Sequence, residues 1–553
     1  MPTIIMRKSD LARLVGRNIE DEELIKLLEG LKADVKGLSD EEIIIEVTSD
    51  RPDMFSSEGV ARSLKGLLEI EMGPPIYEVY DAKEGYDIFV DPSVNAVRPY
   101  IACAAVVGCE LGDEGFRQII QLQEVLHKTH GRGRRKFAIG LHNLDVIKPP
   151  IMYIAKKFDD FSFKPLDSDR EMSGHEILEL HSKGIEYGWI IKDKGIAPLL
   201  IDSNENILSM PPIINSDLTK VTPETKNLLI DVTGTDLRAV EMALTILATN
   251  LAERGGKIIK FVVHYGDKTL VEPPLSYKLL MVSREELVKI TGLDEPIDVI
   301  VKCLKKMRLG ATIKGDVLEV FVPPYRVDVI SAVDVAEDYA MGYGYDKIEP
   351  IIPPITTQGA ELKITAFTRL CRELMIGYGF HEVVSYMFSS DKKLDDAGIR
   401  DKRVKVLRPV SSDYTCLRTS LIPSLLSFLS ENTHVEYPQK IFEVGDVILI
   451  DDRVDVKAIS DRRLAALHAD YKVGYEDIQA VLYSFMRLLN VRFEVEPHDM
   501  ELMIKGRCGK VKVRNIDIGF LGEINPEVLL KFGLQVPVAA FEISISKIMQ
   551  LME

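Results

Sequence analysis

The feature that most restricts how this chain can fold is an internal repeat. Residues 8–62 can be laid on residues 282–337, and each reads as a short helix, a second helix, a strand, and an Arg-x-Asp turn into a further helix. Near the turn the offset is constant: Arg51 falls on Arg326, Asp53 on Asp328, Val60 on Val335 and Ala61 on Ala336. The chain therefore carries one small α/β module, helix-turn-helix-like in its succession of elements, twice. At 553 residues it has room for two to four separate cores.

Composition bounds the class. Hydrophobic residues make up 46% and charged residues 28%, which is globular usage, and no apolar run is long enough to cross a bilayer. The start, MPTIIMRKSDLARLVG, lacks the basic, apolar and small-residue zones of a secretion signal. Six scattered cysteines without a CxxC pair indicate neither a disulfide framework nor a zinc site. A cytoplasmic protein without membrane contact is expected. The net charge of −17 argues against a nucleic-acid binder over its whole surface, so RNA contact must be local or shared with a partner.

The repeat also serves as an internal control. Asp328, Asp334, Glu337 and Asp338 crowd into eleven positions of the second copy, where the first copy has Gly59, Arg62 and Ser63 opposite the last three. Asp334, Glu337 and Asp338 share one face near a helix N-terminus, with Asp328 in the preceding turn. Two readings stand: acids complementing a helix dipole in water, or a hard-cation site of oxygen ligands suited to Mg²⁺. The first copy builds its helix without these acids, which weakens the former.

Between the copies, residues 86–272 form a different domain. It opens on the strand material RPYIACAAVVGCEL and holds a basic run, HKTHGRGRRKFAIGLHNLD (127–145), readable as a solvated loop or as an RNA-backbone contact. Near its end the strand NLLIDV meets a Thr-Gly-Thr-Asp turn and a long apolar-faced helix stopped by Gly255 and Gly256, so Thr235 or Asp236 reads as an N-cap. Asp231 and Thr233 sit at the strand end, a place that often faces a crevice. After the Pro-rich linker 348–362, the remaining 190 or so residues alternate helices with strand material, EVVSYMF and QKIFEVGDVILI, as an α+β sheet domain. No P-loop, dinucleotide-binding glycine motif, HExxH or GxSxG is present.

Several separated signatures, in one order, carry a resemblance: SDRPDMFSSEGVAR (49–62), RGRRKFAIGLHNLD (132–145), PPIINSDLTKVTPETKNLLIDVTGTD (211–236), PPYRVDVISAVDVAEDYAMGYGYDKI (323–348), LRTSLIPSLL (417–426), FEVGDV (442–447) and GFLGEINPEVL (519–529). Through these the chain resembles the β subunit of phenylalanyl-tRNA synthetase in its archaeal and eukaryotic form. The bacterial form's OB-fold insertion and C-terminal anticodon-binding domain have no counterpart here.

The resemblance implies a multi-domain α+β chain: an N-terminal module over 1–85, an editing domain over 86–272, the second module with a metal site over 273–350, and a degenerate class II synthetase-like antiparallel sheet domain over 351–553. It implies Mg²⁺ at Asp328, Asp334, Glu337 and Asp338, shared with an α subunit. ATP would be used on α, because a class II site needs a late arginine for phosphate and none follows Arg514. The partners implied are α in an (αβ)₂ heterotetramer, tRNA(Phe) and mischarged Tyr-tRNA(Phe).

An apolar pocket rejects an added hydroxyl weakly, so tyrosine calls for a second, hydrolytic site. The resemblance places that site around Leu200, Ser209, Asn215, Asp231 and Thr233, with His142 and Asn143 beside them. The resulting function is the non-adenylating subunit of phenylalanine–tRNA ligase, which joins phenylalanine to tRNA as ATP goes to AMP and diphosphate, with editing of Tyr-tRNA(Phe). The rivals are an assembly and tRNA-binding subunit without editing, and a hydrolytic two-metal site at the acids, against which the lack of histidine near 323–345 counts.

Overall fold

In the computed structural model, which describes residues 1–81, 85–266 and 268–552, both copies of the repeat fold alike. The first is strand Thr3–Arg7, helices Lys8–Val15 and Asp21–Gly30, strands Ala33–Leu38 and Glu42–Val47, and helix Ser57–Leu67. The second is strand Lys278–Ser283, helices Arg284–Thr291 and Ile297–Lys306, strands Gly310–Lys314 and Val317–Val322, and helix Ala332–Tyr343. In each the leading strand pairs with the last, giving a three-stranded sheet in the order first, third, second.

Sequence reading anticipated one strand per copy, not three. Strand Ala33–Leu38 carries Asp34, Lys36 and Gly37 and buries only alternate residues, so it reads alone as a turn. Its antiparallel pairing with Glu42–Val47 makes it a strand.

The middle domain is an eleven-stranded sheet. Its main path runs Ile214–Asn215, Ile207–Met210, Ile196–Ile201, Ile151–Lys157, Asp87–Val90, Lys257–Tyr265, Tyr100–Val107, Leu228–Gly234, Phe137–Asn143. Strand Leu228–Gly234 is buried throughout because strands flank it on both sides. Alternation divides its faces: Leu228, Ile230 and Val232 join the core that contains helix Leu237–Ala252, while Leu229 joins the opposite core, and Asp231 and Thr233 share its side. The first module is tied to this domain through Arg254, whose buried guanidinium grips Asp10 at 2.7 Å and pairs with Glu58.

Residues 1–352 form one compact unit and 353–553 another. The second is built on a seven-stranded sheet in the order His381–Glu382, Gln439–Ile450, Ala458–Ala469, Val538–Ser544, Ile516–Ile524, Met503–Val513, Glu494–Pro497. Both faces are covered: Ala465 and Leu467 face one core, Leu464 and Ala466 the other. The anticipated strand EVVSYMF forms only at its ends, His381–Glu382 and Phe388–Ser389. Between them Val384 and Tyr386 project into solvent, 84% and 76% exposed.

Candidate functional site

The sheet of the middle domain curls until the two ends of its path meet. Across that seam Asn215, on the first strand, donates from Nδ2 to the Leu141 carbonyl on the last, at 3.1 Å. A cavity of about 210 Å³ opens there, with apolar walls that include Ile120, Ile139, Pro212 and Ile213. Its polar lining includes Asn215, Asp231, Glu124, Arg134 and Lys183. This is smaller than the roughly 300–1,000 Å³ of clefts for drug-sized ligands and suits one side chain.

Asp231 is 1% exposed, and three features fix its carboxylate. His142 Nε2 lies 2.7 Å from Asp231 Oδ1, and its Nδ1 lies 2.7 Å from Thr219 Oγ1. A carboxylate only accepts, so Nε2 carries the hydrogen and the ring cannot turn without breaking both contacts. On the neighbouring strand Gly140 stands directly opposite Asp231; a Cβ there would lie 2.0 Å from Oδ1. A glycine inside a strand signals such close approach, a signal present in FAIGLHN.

Of the residues anticipated for this site, Asp231 and Asn215 line the cavity. Thr233, Ser209 and Leu200 stand outside its lining and are buried. Thr233 accepts from Arg98 through its Oγ1 at 3.3 Å and its carbonyl at 2.7 Å. The same guanidinium holds the Arg134 carbonyl at 3.1 Å, so Thr233 reaches the cavity only through this brace. Burial pulls Arg98 down to about 10, partly offset by the charges of Tyr153 and Asp231. Leu200 and Ser209 are cross-strand partners, and Ser209 Oγ is buried without a hydrogen-bond partner among the described residues. Asn143 accepts from the Asp145 amide and shapes the turn after its strand.

Arg134, Lys183 and Glu124 were missed. Arg134 lies in the basic run, yet it is neither solvated nor on the surface. Its Nη1 donates to the carbonyls of Pro212 (3.2 Å) and Ile213 (3.0 Å), its Nη2 to Glu124 (3.1 Å), and its Cζ lies 4.2 Å from the centre of the Tyr187 ring. Burial raises Glu124, but its bond to His127 and the charges of His127, Arg134 and Lys183 outweigh this and hold it at about 2. Glu124 and Lys183 sit on helices that come to the cavity from distant sequence, and no local spacing marks them. The cavity thus joins apolar walls, a fixed buried carboxylate and a pair of cations: it can hold an aromatic side chain, accept a hydrogen from a hydroxyl on it, and attract an anion.

The four acids of the second module are placed differently. Arg326 grips Asp328 with two nitrogens, at 2.9 and 2.7 Å, and gives Nη2 also to Asp338 at 2.7 Å. Burial pushes Asp338 up to about 6, with Arg326 opposing and the Asp328 charge adding to the rise; Asp328 is lowered because Arg326 outweighs its burial. Asp334 Oδ2 accepts from the amides of Ile330 and Ser331, both at 2.8 Å. Glu337 accepts through both oxygens, at 3.0 Å, from Lys32 of the first module, which also holds Asp50. Four carboxylates are the right donors for a hard cation. Among the described residues, however, no three His, Cys, Asp or Glu side chains gather as a metal site, so as arranged the four do not fit an ion by themselves.

Comparison with known proteins identifies the family. Residues 348–545 match the family model described as the phenylalanyl tRNA synthetase beta chain CLM domain, and residues 280–345 the tRNA synthetase B5 domain. A phenylalanine–tRNA ligase beta subunit of Korarchaeum cryptofilum is 41% identical over 99% of this chain and 98% of its own length. One of Pyrococcus abyssi is 40% identical over the full length of both. A crystal structure of an N-terminal fragment of the phenylalanyl-tRNA synthetase beta subunit of Pyrococcus horikoshii superposes with a TM-score of 0.60 at 42% identity, covering 62% of this chain and all of the fragment.

Proposed function

This chain belongs to the family of phenylalanine–tRNA ligase β subunits, and from that premise we propose that its middle domain hydrolyses Tyr-tRNA(Phe). One observation carries the proposal: a carboxylate locked by His142 and by the bare backbone of Gly140 faces an apolar cavity the size of one side chain. A tyrosyl ring entering it donates its hydroxyl hydrogen to Asp231, whereas phenylalanine adds no donor and leaves the carboxylate with His142 alone. A site built to bond a hydroxyl discriminates far better than one built to exclude it. No Ser, Thr, Cys or His side chain lines the cavity among the described residues, and the attacking group in this reading is an ordered water.

The test is clearance of preformed Tyr-tRNA(Phe) by the co-purified α and β chains, wild type beside Asp231→Ala, with Phe-tRNA(Phe) as control. Selective loss of Tyr-tRNA clearance in the variant supports the reading. A wild type that clears neither ester leaves a subunit for assembly and tRNA binding alone.

Adenylation is assigned to α. The strand Val538–Ser544 turns inward an acid, Glu542, which holds Arg463 at 2.6 Å and accepts from the Leu421 amide at 2.9 Å. That is the reverse of what a triphosphate requires, and it agrees with a class II-like domain that has lost its catalysis. The domain's remaining task is to pair with α in an (αβ)₂ assembly. Val384, Tyr386, Leu407 and Val410 are large apolar side chains that stand exposed, and a partner of like surface would bury them. Mg²⁺ shared with α at Asp328, Asp334, Glu337 and Asp338 is the part of this reading that requires rearrangement, because Glu337 has to exchange Lys32 for the ion.

A further inference from the structure

Trp189 is the only tryptophan of the chain, and it is 56% exposed. An indole left in water ordinarily swings freely, but this one is held. Its Nε1 donates to the Glu186 carbonyl at 3.1 Å, and the Arg135 guanidinium lies over the ring, 5.9 Å from its centre. Two residues earlier, Tyr187 is covered by Arg134 at 4.2 Å and by Lys183 at 5.5 Å, and both of those cations line the cavity. Two ring-and-cation pairs, neighbours in sequence, therefore lie between the cavity lining and the indole. Residues 132–136 and 179–194 together hold seven Lys and Arg against three Asp and Glu, in a chain whose net charge is −17. Arg132, Arg135, Lys192 and Lys194 are exposed.

An aminoacyl ester is attached to the ribose of the last nucleotide of tRNA, so an aminoacyl group in the cavity brings the unpaired 3′ strand to its rim. Single-stranded nucleotides are held by stacking on aromatic rings, with cations tracking the phosphates. We propose that Trp189 and Arg135 form a stacking platform for an unpaired nucleotide of the tRNA 3′ end; the assignment rests on the cavity being the hydrolytic site. Glu186 and Asp193 lie beside the platform, and the nearby Lys183 offsets the first by pairing with it at 2.9 Å.

The experiment uses the αβ complex and two readouts. The emission of Trp189, taken as wild type minus Trp189→Phe, is titrated with uncharged tRNA(Phe) and with the same tRNA lacking its unpaired 3′ nucleotides. Quenching by the intact tRNA and none by the truncated one is expected. In clearance of Tyr-tRNA(Phe), Trp189→Ala is expected to raise KM roughly tenfold and leave kcat within about twofold. Equal quenching by both RNAs, or none by either, overturns the platform whether or not the ester is cleared. Failure of the wild type to clear the ester, with selective quenching intact, overturns the hydrolytic reading and leaves the platform as an RNA contact.

Discussion

Replacing Gly140 by alanine tests the site through its tightest contact. A Cβ at this position stands 2.0 Å from Asp231 Oδ1 and 2.8 Å from His142 Nε2. The strand backbone is pinned by its pairing with Leu228–Gly234, so the carboxylate is what gives way. It has to retreat by about 1.4 Å to reach ordinary contact. The 2.7 Å bond from His142 then lengthens past any useful hydrogen bond. Losing a buried bond to a charged group costs about 1.5–3 kcal/mol, which is visible in thermal unfolding yet small enough for the chain to fold. A displacement of this size in a positioned group costs about 100-fold in rate. The Gly140→Ala complex should therefore clear Tyr-tRNA(Phe) about 100-fold more slowly, while charging tRNA(Phe) with phenylalanine at the wild-type rate. Clearance within about threefold of wild type, in a complex whose unfolding is unchanged, would show that Asp231 is not held as described. Equal loss of clearance and charging would point to a general folding defect.

Two further outcomes follow from buried charge and a third from exposed apolar surface. Burial, with the Glu241 charge adding, raises Glu272 from 4.5 to about 8, so the folded state keeps a proton that the unfolded chain releases. The stability from that proton is complete below about pH 4.5 and is lost as pH rises to 8, about 5 kcal/mol in all. Glu272→Gln should accordingly match wild type in thermal unfolding at pH 5 and exceed it at pH 8; parallel curves across that range refute the shift. Arg326→Met leaves Asp328 and Asp338 buried without their cation and should destabilise the second module by about 3–5 kcal/mol, read as early loss of amide protection in Ala332–Tyr343. Leu407→Asp with Val410→Asp should abolish co-purification with α and leave the unfolding of β unchanged; retained assembly places the α contact elsewhere.

What could be read from the sequence was whatever repeats or alternates locally. Helix Leu237–Ala252, strand Gln439–Ile450 and the correspondence of Arg51 with Arg326 are properties of single segments, and sequence reading found all three. Strands Thr3–Arg7 and Ala33–Leu38 were not legible, since each becomes a strand only through its pairing with Glu42–Val47. The cavity shows the same division. Asp231 stands out as an acid inside an apolar strand, whereas Lys183 reaches the lining because the sheet curls until residues 214–215 meet 137–143. Thr233 was expected at the site because it lies with Asp231 at a strand end, a place that often faces a crevice, and because the resemblance places it there. The face it shares with Asp231 continues past the cavity, however, and there Arg98 takes its hydroxyl.

The repeat decides how far the acids of the second module can be explained by structure alone. In the first copy Arg51 holds Asp53 at 2.9 Å and reaches Ser63 Oγ at 3.1 Å; in the second Arg326 holds Asp328 and reaches Asp338 at 2.7 Å. Ser63 and Asp338 fill one position, so a neutral hydroxyl suffices to satisfy the arginine, and the charge on Asp338 exceeds what the fold needs. The neighbouring position joins the modules crosswise. Arg62 of the first lies 3.7 Å over the ring of Tyr325 in the second, and Glu337 of the second reaches Lys32 of the first. Lys32 and Arg308, both left-handed residues two positions past a helix, are themselves counterparts, and each spans to the other copy. Asp338→Ser therefore gives the second module the partner that the first already uses. If the acid serves only its arginine, the variant should assemble with α as wild type does across a Mg²⁺ titration. If the acid serves a shared ion, the variant should unfold as wild type does, because burial already opposes the Asp338 charge, while the Mg²⁺ dependence of assembly disappears.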